Sequence, residues 1–177
     1  MTQRLDKEKL LQFLSELGKA AKTPGTCYLT GGATAILFGW RETTIDVDIK
    51  LEPEPKGVFD RIPELKRRLG INVELAAPDD FIPPLEGWKE RSLIVGQFGS
   101  LTVYHYDLIS QALAKLERGH GKDLSDVAKM LELGLVSKRE LKHHLEAIRP
   151  ALKRYPAIDE QTFVRRVLEF LHERKDG

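Results

Sequence analysis

The sequence predicts an α+β protein: a mixed β-sheet of about five strands flanked by helices, followed by a C-terminal helical region. Three observations predict it. Short runs of period-2 alternation recur up to residue 106 and then stop. Helical spacing fills residues 107–177. Loops bearing proline and glycine ("PGT", "PEPKG", "PDDFIPPLEGW") separate the earlier runs. The expected organisation is a sheet core over 1–106 and a helical region over 107–177 packed on it.

Each element has its own signal. Residues 6–21 read as a helix, with Leu10, Phe13, Leu14 and Leu17 on one face and Asp6 able to cap the start. "CYLT" (27–30) reads as a short strand, Gly31 and Gly32 as a turn, and "ATAILFG" (33–39) as a short buried helix. "TTIDVDIKLE" (43–52) alternates strongly, with Ile45, Val47, Ile49 and Leu51 on one face. A helix follows over 58–69, in which Pro63 predicts a break or a fresh start. "INVELAA" (71–77) reads as a third strand and 78–88 as a proline-rich loop. Residues 91–106 read as two strands joined at Gly99-Ser100. Helices are then expected at 107–118, 122–133, 138–153 and 159–174, the third opened by a Ser137/Glu140 capping box.

Composition narrows the function. Of 177 residues 41% are hydrophobic and 31% charged, which suits a globular protein rather than a disordered one. The net charge of +1 argues against a strongly basic nucleic-acid binder, although a local basic patch is compatible with it. A single cysteine, Cys27, excludes an internal disulfide and a cysteine-built zinc site. No apolar run approaches the ~20 residues of a membrane span, so no membrane partner is expected. "MTQRLDKEKLLQ" does not read as a signal peptide, and the reading is cytoplasmic.

The chemistry concentrates at "TGGATAILFGWRETTIDVDIK" (30–50). Asp46 and Asp48 are two apart on a strand and so share a face, opposite the apolar alternates. Two carboxylates ~4 Å apart repel by roughly 4 kcal/mol at an effective dielectric near 20. Water, protonation of one acid, or a bound cation relieves that repulsion. Magnesium is a hard cation that takes carboxylate oxygens and leaves room for phosphates. An isolated Asp-x-Asp is more often a solvated strand face, and an isolated Gly-Gly a plain tight turn. Here glycines, helix, strand and acid pair follow in an order that addresses a phosphate chain at one end and its metal at the other.

"LTGGATAILFGWRETTIDVDI" resembles the core of polymerase-β-type nucleotidyltransferases. It is most similar to the small prokaryotic AbiEii-toxin-like and minimal nucleotidyltransferases, with "RETTIDVDI" matching their Arg-x-Thr-Thr-x-Asp-hydrophobic-Asp stretch. "ALAKLERGHGKDLSDVAKML" (112–131) is similar to the group's Lys-x-x-Arg…Lys/Arg-Asp-x-x-Asp helix pair. The resemblance covers about residues 27–131. It implies nucleotidyl transfer from a nucleoside triphosphate to an RNA (including tRNA) or protein hydroxyl, with Mg2+ or Mn2+ as cofactor. It also extends the expectation to a toxin role and an antitoxin partner. Asp46 and Asp48 would hold the metal. Glu74 in "INVEL" is the candidate third carboxylate, as ligand or general base, with Asp79 and Asp80 as alternatives. Gly31, Gly32, Thr44, Lys115, Arg118 and Asp123 form the implied nucleotide-binding set.

Lys115 and Arg118 lie one helical turn apart. Lys115 is expected to contact the triphosphate and to line the same cleft as the aspartates. Read as a long exposed cation, it should cost little stability to remove. Asp123 and Asp126 suit the first turn of the next helix, and the ordinary reading pairs them with Lys115 or Arg118.

Weaker signals remain. His143-His144 lacks a third ligand at metal spacing. His120 could reach a phosphate, and Trp40 could stack on a base or simply pack. "SKRELKHHLEAIRPALKRY" is a solvated basic face or a landing surface for RNA. The competing class of function is a non-catalytic relative that keeps the fold to bind nucleotide or a partner.

Overall fold

The computed structural model describes residues 4–174 and is α+β. It divides into two compact units. The first comprises residues 1–77 and 92–106, the second 78–91 and 107–177.

The first unit is a five-stranded mixed sheet with three helices. Its strands are β1 (Gly25–Thr30), β2 (Asp46–Leu51), β3 (Asn72–Glu74), β4 (Leu93–Phe98) and β5 (Leu101–His105), in the order β3-β2-β1-β5-β4. β1 runs antiparallel to β2 and parallel to β5, β2 and β3 are parallel, and β4 and β5 form an antiparallel hairpin. The hairpin turns at Gly99, whose φ of +59° is one that side chains beyond glycine rarely adopt.

Helix α1 (Lys7–Ala20) starts as expected: the Asp6 carboxylate accepts from the Lys9 N–H. Its Leu10, Phe13, Leu14 and Leu17 are buried. They join Cys27, Leu29, Val47, Ile49, Val73 and Val103 from one face of the sheet in a single core. Helix α2 (Gly32–Phe38) follows β1 directly, and α3 (Val58–Leu69) follows β2. Pro63 sits inside α3 without breaking it. The missing N–H removes one bond, to the carbonyl of Phe59 in the first turn, and the rest of the ladder holds.

Two strands are shorter than their alternation suggests. β2 begins only at Asp46, because Thr44 before it exchanges backbone hydrogen bonds with Leu5. Ile45 therefore does not share the core face with Val47 and is 48% exposed. β3 ends at Glu74, where its pairing with β2 ends, and Leu75 is 54% exposed.

The second unit is helical. The expected loop after residue 77 contains a 3-10 turn (Pro78–Asp80) and the short helix α4 (Trp88–Arg91). Then come α5 (Leu108–Arg118), α6 (Gly121–Glu132), α7 (Lys138–Ile148) and α8 (Glu160–His172). Asp107 caps α5 and Asp159 caps α8, and α7 carries the full Ser137/Glu140 capping box. α7 stops at Ile148 rather than 153, and a 3-10 turn covers Arg149–Arg154. Pro150 explains the early stop, since proline disfavours helical geometry in the residue before it. Among the described residues no helix is long and apolar enough to cross a membrane.

Candidate functional site

The acid row lies on the first unit's sheet. Val47 and Ile49 are fully buried in the core, so the pleat sends Asp46 and Asp48 to the opposite face, where both are half-buried. β3 runs parallel to β2 with Asn72 opposite Asp46 and Glu74 opposite Asp48. Residues in register share a face. Glu74 thus stands beside Asp48, with its side chain exposed. One amide ties the row together: Asn72 Nδ2 donates to Asp46 Oδ1 at 2.7 Å and to Glu74 Oε1 at 3.2 Å.

Conformation requires the first glycine of the turn, and space the second. Gly31 has φ +65°, and a Cβ there would sit 3.0 Å from Asp48 Oδ2. The turn is therefore in direct contact with the acid row. A Cβ on Gly32 would fall 2.0 Å from Thr44 Oγ1 and 2.5 Å from its Cβ, so Gly32 lets α2 close onto the buried Thr44. Thr44 Oγ1 in turn donates to the Asp46 carbonyl at 3.3 Å. Gly31, Gly32, Thr44, Asp46, Asp48 and Glu74 come together locally. Among the described residues no three His, Cys, Asp or Glu side chains form a ready-made metal cage.

The second unit holds a buried charge cluster where α5 meets α6. Lys115 Nζ donates to Asp126 Oδ2 at 2.9 Å and lies 3.7 Å from Asp123 Oδ1. Arg118 grips Asp123 with two nitrogens, at 2.7 and 3.2 Å. Lys115 is 9% exposed, Asp123 3% and Asp126 4%. Lys115 is therefore not the exposed cation expected. Its ammonium is buried against two carboxylates, and both acids pair with the cations as their ordinary reading held.

No family model matches the chain, and comparison with characterised proteins and with solved structures yields no significant match.

The weaker signals have these surroundings. Trp40 stacks on Phe38 with ring centres 6.0 Å apart. Cys27 is fully buried, and burial pushes its thiol up to about 12, which leaves it unreactive at neutral pH. His120 is the residue before α6 and is exposed, without a side-chain capping bond. His143 and His144 meet edge to face at 5.0 Å. Burial, then Arg91 and His143, lower the His144 pKa. Asp79 is half-buried and Asp80 exposed, both in the 3-10 turn of the second unit.

Sequence reasoning missed Asn72, because a lone asparagine in "INVEL" carries no signal until register places it opposite Asp46. It missed His105, a core residue of β5 whose Nδ1 lies 2.9 Å from Thr34 Oγ1. Burial lowers its pKa to about 4. It also missed the fork from Arg91 to the α5 cap, with Nε 3.1 Å from Asp107 Oδ1 and Nη2 2.8 Å from Oδ2.

Proposed function

We propose that the chain is a metal-dependent nucleotidyltransferase that moves a nucleoside monophosphate from a nucleoside triphosphate to a hydroxyl of an RNA or protein acceptor. The observation that carries the reading is the acid row: Asp46 and Asp48 on one strand face, Glu74 in register beside Asp48, and Gly31 against the Asp48 carboxylate. These residues fit a hard divalent cation. The donors are carboxylate oxygens, and a glycine stands where any side chain would crowd one of them. Asp46 and Asp48 would hold magnesium or manganese, which when bound neutralises charge on the triphosphate and on departing pyrophosphate. Glu74 takes the proton from the acceptor hydroxyl. The acceptor oxygen then bonds to the α-phosphorus, the bond to the bridging oxygen breaks, and pyrophosphate leaves. Asn72 fixes Asp46 and Glu74 relative to each other through its shared amide. The sequence resemblance extends the proposal to the toxin half of a toxin–antitoxin pair.

The test is incubation with each labelled nucleoside triphosphate, magnesium, and either total RNA or a cell lysate. The proposal expects label on an RNA or protein band with the wild type, and its loss with Asp46→Asn. Nucleotide binding without transfer under every condition would replace it with the non-catalytic binding module.

A further inference from the structure

Three carboxylates in a row can take one cation or two, and Asn72 decides between them. It stands on β3 opposite Asp46, with Glu74 two residues on and opposite Asp48. Its Nδ2 donates to Asp46 Oδ1 at 2.7 Å and to Glu74 Oε1 at 3.2 Å. Ionised carboxylates only accept, so the amide turns its nitrogen toward them and not its oxygen. The two amide hydrogens therefore lie between Asp46 and Glu74, on the oxygens that a cation bridging those two acids would need.

On the metal-dependent reading of the acid row, on which this rests, we infer that the Asn72 amide takes the place of a second cation. The row then binds one divalent ion, through Asp46 and Asp48, and Glu74 stays out of its coordination. A hard cation needs oxygen lone pairs. Those of Asp46 Oδ1 and Glu74 Oε1 are engaged by N–H donors, whose positive ends also repel a cation placed beside them. The same two bonds are charge-assisted and draw the acids together without a metal between them. Exposure divides the row the same way. Asp46 and Asp48 are half-buried, whereas Glu74 is exposed, so water already solvates its charge. Asn72 is thus a positioning residue: it keeps Glu74 beside the metal site, as a base for the acceptor hydroxyl rather than as a ligand.

The test counts ions and needs no transfer. The full chain is dialysed to equilibrium against manganese and a non-hydrolysable nucleoside triphosphate analogue, and the excess manganese on the protein side is measured. The wild type should hold one ion per chain. Asn72→Asp exchanges the donor for a carboxylate at nearly constant shape and should hold two. Adding Glu74→Gln to that variant should return the count to one, which places the second ion at Glu74. In the wild-type background, Glu74→Gln and Asp48→Asn each remove one charge, so the difference between them reads ligation. Asp48→Asn should weaken manganese binding about tenfold more than Glu74→Gln. Should Asn72→Asp fail to fold, the wild-type count and these two variants still decide. A wild type with no bound ion would remove the metal-dependent reading and this role of Asn72 together. Two ions on the wild type, one on folded Asn72→Asp, or equal losses from Glu74→Gln and Asp48→Asn would leave that reading standing and overturn the role of Asn72 alone.

Discussion

Single residues decide whether charge here is solvated or trapped. Lys115 shows the difference. As a sequence it is a cation one turn from Arg118; in the fold it is buried against Asp126 and Asp123. Breaking such a pair takes the lysine's charge from two buried carboxylates, which costs about 3–5 kcal/mol, far more than losing a surface charge. Lys115→Ala is therefore expected to lower unfolding free energy by that amount in urea titration, and a loss below about 1 kcal/mol would contradict the buried pairing. His105 is the second case. Its folded pKa of about 4 lies below the ordinary 6.5, so between those values the unfolded chain holds the extra proton. Stability is complete above pH 6.5 and falls as pH drops, by about 2 kcal/mol at pH 5 and about 3 by pH 4. His105→Gln should flatten that slope relative to wild type in denaturant melts across the same range. Equal slopes would mean the histidine is not held neutral.

At the scale of elements, the helices were legible because their signals are local. The Asp6 cap and the Ser137/Glu140 box each sit within four residues of what they stabilise. Ser137→Ala should cost about 1 kcal/mol, read as an earlier urea midpoint with an unchanged slope, since only the cap is lost. Strand ends were less legible. "TTIDVDIKLE" alternates from Thr43 onward, yet the strand waits until Asp46 because Leu5, far away in sequence, captures Thr44. Pro63 misled in the other direction. One missing N–H in the middle of α3 does not outweigh the burial of Ile62, Leu65 and Leu69 on its inner face. Pro150, by contrast, ended α7 five residues short of the expected 153, through its effect on Arg149.

At the scale of the molecule, fold class was readable and strand order was not. Alternation tells that a segment is a strand and which residues share a face, but it names no neighbour. The pairing of β3 with β2 is what turns Glu74 from a carboxylate somewhere downstream into one in register with Asp48, and it brings Asn72 to Asp46. The acid pair itself was legible, since two residues on one strand need no tertiary information to share a face. The central claim is that this row binds a divalent cation with nucleotide, and thermal melts of wild type and Asp48→Asn test it most directly. Without metal, Asp48→Asn should melt at or above the wild type, because one like charge is gone. With magnesium and a nucleoside triphosphate, the wild type should gain stability by mass action while Asp48→Asn gains little, which reverses their order. A wild type whose melting temperature is unmoved by metal and nucleotide together, or a variant that gains as much as the wild type, would contradict the account.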